Sequence, residues 1–123
     1  MKIRNSFVSN SSSVSFIVYG FSSYSDFIEK NKIKLSLDWG NCVKINDKEI
    51  TSEDNKLIRS SENCQYFGLA LAEEHEHTFN TDMKNDETLE QFKERSRLKL
   101  SHLFGSEVKH EDMWLTGASF RDG

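Results

Sequence analysis

The 123-residue chain contains no proline, only two cysteines and only six glycines. The lack of proline removes slow X-Pro isomerisation as a folding step. Two isolated cysteines, Cys42 and Cys64, are expected as free thiols packed as small apolar groups, with a disulfide between them as the alternative. No apolar run approaches the roughly 20 residues a membrane-crossing helix needs. The run over residues 14–19 is too short and too rich in flanking hydroxyls for a secretory signal. Strong charge of one sign is also missing: the formal net charge is −4, which is too mild for nucleic-acid mimicry.

What is present suits one core. The length fits a single domain over residues 1–123, with residues 1–13 as a Ser-rich N-terminal arm. A hydrophobic fraction of 36% is low, but nine Phe, three Tyr and two Trp raise the core volume per residue. Val14, Phe16 and Val18 alternate with Ser15, Ile17 and Tyr19, which reads as a strand. Its second face turns apolar toward the end, as in a central strand, and Gly20 is expected to break it. Tyr66, Phe67, Leu69 and Leu71 mark a second strand, where Gly68 signals a bulge or a close backbone approach. Shorter strands are expected over residues 33–37 and 43–45, with turns at Trp39-Gly40 and Asn46-Asp47. Trp39 is expected as a core or lid residue, with an exposed stacking role for a base or ligand as the alternative. Short helices are expected after Ser23 or Ser25 and after Thr51 or Ser52, and residues 73–84 read as a polar loop.

The clearest element is a helix that starts near Asp86 and ends at Gly105. Thr88 and Gln91 have capping-box spacing, and Gly105 is a natural C-cap. Leu89, Phe92, Ser96, Leu100 and Leu103 fall on one stripe, and Phe104 reads as core. A last strand is expected within residues 113–120. Together these elements predict an α+β fold: a small antiparallel sheet packed on one face by a long C-terminal amphipathic helix and one or two short helices.

The first sixteen residues, Met1-Lys2-Ile3-Arg4-Asn5-Ser6-Phe7-Val8-Ser9-Asn10-Ser11-Ser12-Ser13-Val14-Ser15-Phe16, resemble the N-terminus of small, mostly uncharacterised proteins of tailed bacteriophages and related mobile elements. Those typically carry a basic pair, then Gly-Phe-Val-Ser-Asn and a longer Ser run ending in Phe. Ser6 replaces the usual Gly here, and Val14 interrupts the Ser run. Asn85-Asp86-Glu87-Thr88, Phe92-Lys93, Phe104-Gly105 and Asp122-Gly123 are similar to the C-terminal part of some members. The resemblance implies a phage source and the host cytoplasm as the location. It implies no shared activity.

Candidate sites follow from charge and side-chain chemistry. Residues 1–22 hold Lys2 and Arg4 and no acid, whereas residues 73–94 hold eight acids against Lys84 and Lys93. Such asymmetry can steer a partner, and Glu87, Glu90, Glu94, Lys2 and Arg4 are the expected contacts. Ser11, Ser12 and Ser13 form a turn-prone hydroxyl run, a candidate anion site or modification site. Glu73, His75 and His77, spaced two apart, would share one strand face if the strand continued, as a metal set would require. No Gly-x-Ser-x-Gly elbow or recognisable nucleophile context is present, so no catalytic residue and no cofactor are assigned. The basic clusters are too small for a nucleic-acid surface. The expected function is non-enzymatic binding of a host or phage protein, with inhibition of a host enzyme or defence system as one form of it. The alternative is a small ligand- or metal-binding domain or enzyme using the Ser-rich turn or the Glu73/His75/His77 set.

Overall fold

A computed structural model describes residues 14–61, 64–75 and 77–118. The Ser-rich run, Lys2 and Arg4 lie outside the described residues.

The described residues form eight strands and three helices in an α+β arrangement. In chain order these are β1 (Val14–Ser22), α1 (Asp26–Lys30), β2 (Leu35–Asp38), β3 (Asn41–Ile45), β4 (Lys48–Glu49), α2 (Ser52–Asn55), β5 (Ile58–Ser61), β6 (Cys64–His75), β7 (Thr78–Asn80), α3 (Leu89–Phe104) and β8 (Trp114–Ala118), with a 3-10 turn at His110–Asp112 before β8. The main sheet runs β5-β6-β1-β8 and all its pairings are antiparallel. A second sheet is the meander β2-β3-β4. β1 is central, as its two apolar faces require.

Gly20 does not end β1. It sits opposite Gly68 in β6, and the strand runs on to Ser22. A Cβ on Gly20 would lie 1.8 Å from the Phe67 carbonyl oxygen, and one on Gly68 would lie 2.3 Å from that of Tyr19. The glycine pair therefore permits a close backbone approach that no side chain would allow. The bulge lies elsewhere: Ile17 pairs with Ala72 and Val18 with Ala70, leaving Leu71 as the extra residue.

α3 starts at the predicted capping box. Thr88 Oγ1 accepts from Gln91 N–H, the Gln91 side chain accepts from Thr88 N–H, and Gly105 closes the helix in the left-handed conformation. Phe92, Ser96, Leu100 and Phe104 are buried against the sheet, while Leu89 is largely exposed because it stands in the first turn. Phe104 contacts Phe21, Phe27 and Phe67 at centroid distances of 5.1–5.8 Å. Cys42 and Ile45 of β3 and Phe27 and Ile28 of α1 join that same core, so both sheets share it. Phe16, Val18 and Ala70 form a smaller cluster on the opposite face of the main sheet, with Phe16 edge-on to Tyr66 at 5.2 Å.

Buried Ser96 is a polar clasp within this interface. Its hydroxyl donates to Tyr19 O (2.6 Å) and accepts from Leu69 N–H (3.0 Å), bridging two residues that pair across β1 and β6. The region expected as a loop after Leu71 is instead strand: β6 continues to His75 and turns back as β7. Glu73 and Glu74 tolerate this because the outer half of a long strand leaves polar side chains within reach of water. No helix among the described residues is long and apolar enough to cross a membrane.

Candidate interaction surface and the sites around it

Among the described residues the β2–β3 hairpin presents the most exposed large apolar side chain. Trp39 and Gly40 form its two-residue turn with φ of 58° and 82°, the positive-φ pair that a hairpin of native twist demands. A left-handed tryptophan costs about 1–2 kcal/mol relative to glycine. Trp39 is also 94% exposed, so packing returns nothing for that cost. The expectation of a core or lid tryptophan is thereby corrected: the turn geometry throws the indole outward. Leu37 and Val43, on the same hairpin, are also exposed. The hairpin is nevertheless fixed. Gln65, 1% exposed in β6, donates from Nε2 to Gly40 O (2.8 Å), and its own backbone is held by Ser23. Trp114 and Leu115 on edge strand β8, and Phe79 on β7, supply further exposed apolar surface.

The acids just before α3 and along it are less available than their spacing implied. The Glu87 side chain is only 8% exposed; it takes Arg95 Nε and Nη2, both at 2.8 Å, and the Lys84 N–H at 3.0 Å. The Arg95 hydrogen bonds, followed by the Lys84 amide, hold its carboxyl down at about 2. Glu94 takes Arg97 Nη2 (2.7 Å) and Nε (3.0 Å) and His110 Nε2 (3.0 Å), and is likewise lowered to about 2, chiefly by Arg97 and then by His110. Of the three acids Glu90 alone is exposed without a hydrogen bond or ion pair among the described residues, and its charge contributes to raising Tyr19.

Tyr19, His110 and Glu94 form a chain that resembles a catalytic relay. Tyr19 Oη lies 3.1 Å from His110 Nδ1, and His110 Nε2 lies 3.0 Å from Glu94 Oε1. An imidazole protonated on Nε2 satisfies both contacts. Burial, then the Glu90 charge, pushes the Tyr19 phenol above its ordinary value, which is the wrong direction for a nucleophile or base. The chain therefore works as a tie, pinning the 3-10 turn to β1 and α3.

The expected metal set does not assemble as a strand face. β6 ends at His75, and His77 lies in the turn to β7. Glu73 is drawn to Arg59 Nη2 at 3.0 Å instead. Among the described residues no group of three or more His, Cys, Asp and Glu is placed to hold a metal. Cys42 and Cys64 are free thiols, and burial pushes Cys42 up.

A cavity of about 580 Å³ was not foreseen. β5 and β7 both flank β6 on the side away from β1, and they leave a gap between them. Gly68 N–H donates to Leu57 O on one side of the gap, and Asp82 takes both backbone groups of Ala70 on the other, each at 2.8 Å. Leu69 lies between, and the cavity opens there, walled by α2 and by the Arg95–His102 face of α3. Arg59 stitches the flank, reaching Gly68 O, Glu73 and Asp82. The signal in the sequence was the second polar face of α3, which reads as solvated surface until its neighbours are known.

No protein-family model, no curated protein and no solved structure matches this chain.

Proposed function

We propose that the chain is a non-enzymatic binding module that docks a host or phage protein through the β2–β3 hairpin, with inhibition of a host enzyme or defence component as its mode of action. The observation that supports this is Trp39: a fully presented indole on a backbone conformation that disfavours it, at a turn anchored by a buried glutamine. Tryptophan is enriched among the few residues that dominate protein–protein affinity. A rigid turn also lowers the ordering cost of binding. Leu37 and Val43 extend the apolar contact. The acidic surface has a secondary part, because Glu87 and Glu94 are already paired with Arg95 and Arg97 and Glu90 remains. The partner's source rests on the phage-like N-terminus alone.

The test is a quantitative pull-down from infected cells with tagged protein and its Trp39→Ala variant, both checked by circular dichroism. The expected result is a retained fold with capture of the wild-type partner reduced at least tenfold. Equal capture by the two proteins would refute the hairpin as the contact. Capture lost on charge reversal at Glu90 but kept in Trp39→Ala would assign the contact to α3 instead.

A further inference from the structure

The gap in the β6 flank is a second place where the molecule can hold something, and its chemistry is specific. The floor is apolar, formed by Leu57 and Leu69, both nearly inaccessible. Leu98 of α3 stands at the rim 53% exposed and extends the apolar floor outward. The volume lies within the roughly 300–1,000 Å³ of small-molecule sites.

Charge is divided between the walls. The α3 wall contributes Arg95, Lys99 and His102 and no acid. Arg95 is consumed by Glu87, whereas Lys99 and His102 have no ion pair among the described residues. The α2 wall contributes Glu53 and Asp54, also without ion pairs, with Lys56 following at the helix C-cap. Asp82, at the end of the cavity, is occupied by Ala70 N–H and Arg59. Among the described residues Lys99 and His102 are therefore left without ion pairs on the α3 side, and Glu53, Asp54 and Lys56 on the α2 side, where the two acids outnumber the one lysine. A ligand of single charge would meet attraction from one wall and repulsion from the other. A ligand carrying both charges on an apolar body would satisfy both walls.

We propose that this cavity binds a short apolar peptide with free termini, its carboxylate toward Lys99 and His102, its ammonium toward Glu53 and Asp54, and its side chains on Leu57, Leu69 and Leu98. The site is separate from the hairpin and does not depend on the docking function proposed above.

The test is a two-dimensional amide NMR titration of the full chain with Leu-Leu, N-acetyl-Leu-Leu and Leu-Leu-amide. Saturable shifts are expected at Leu69, Leu98 and Lys99 with the free dipeptide, and each blocked form should bind at least tenfold more weakly. Lys99→Ala and Glu53→Ala, both on exposed positions, should each weaken Leu-Leu several-fold, and Leu98→Asp should abolish its binding. Trp39→Ala should leave the titration unchanged, which separates this site from the hairpin. No saturable shift with dipeptide raised to about 10 mM, where even a dissociation constant of about 1 mM registers, would overturn the proposal. Equal binding of the blocked and free forms would overturn it as well.

Discussion

At the scale of single residues, three positions have effects that their neighbours dictate. Ser96 is fully buried and satisfies one donor and one acceptor in the strand ladder. Ser96→Ala orphans the Leu69 N–H in an apolar setting, so a loss of about 1–3 kcal/mol is expected in urea denaturation. Gly20→Ala forces a methyl against the Phe67 carbonyl, and the strands must part. A loss of about 1–3 kcal/mol is expected there too, with altered amide shifts along β1 and β6. Trp39 behaves in the opposite sense. Trp39→Asn places a residue tolerant of positive φ in the turn, so stability should rise by up to about 1 kcal/mol while partner capture falls. A drop in stability on that substitution would show that the indole has packing partners.

At the scale of elements, α3 carries the architecture and the acids carry its pH response. Thr88→Ala removes one half of the capping box and is expected to cost about 0.5–2 kcal/mol, read as a lowered thermal midpoint. Glu87 and Glu94 are both held near 2, below their ordinary value of 4.5. A depressed carboxyl stabilises the folded state above its unfolded-state value and loses that contribution as pH falls toward its folded-state value. Stability should therefore decline between about pH 4.5 and 2. Glu87→Gln should flatten part of that decline, with wild type and variant converging at the acid end of a pH series of denaturation curves. A difference that stays constant from pH 7 to pH 2 would contradict the role given to the Glu87–Arg95 pair.

At the scale of the whole molecule, the two sheets share one hydrophobic core through Cys42, Ile45, Phe21, Phe67 and Phe104. One cooperative transition is expected, and Ile45→Ala in the small sheet should lower the stability of both sheets together, by about 2–5 kcal/mol. Separate transitions for β2–β4 and for the main sheet, seen by residue-resolved hydrogen exchange, would show that the shared core does not couple them.

Much of this was legible in the chain itself. The period-two alternation from Val14 and the stripe from Phe92 to Phe104 are local patterns, and the Thr88 box, Gly105 and the Asn46-Asp47 turn are local chemistry. Such features fix elements without knowledge of neighbours. Gly20, Trp39 and residues 73–80 were misread because their state depends on what lies opposite. Gly20 continues a strand because Gly68 faces it, Trp39 is outside because its turn is of the positive-φ type, and β7 exists because β6 offers it an edge. Sequence periodicity alone determined the class of fold and its principal helix. Only tertiary structure decided which charges are spent on one another, as at Glu87 and Glu94, and which have no ion pair among the described residues, as at Lys99 and Glu53, because an ion pair is made by distance in space rather than by position in the chain.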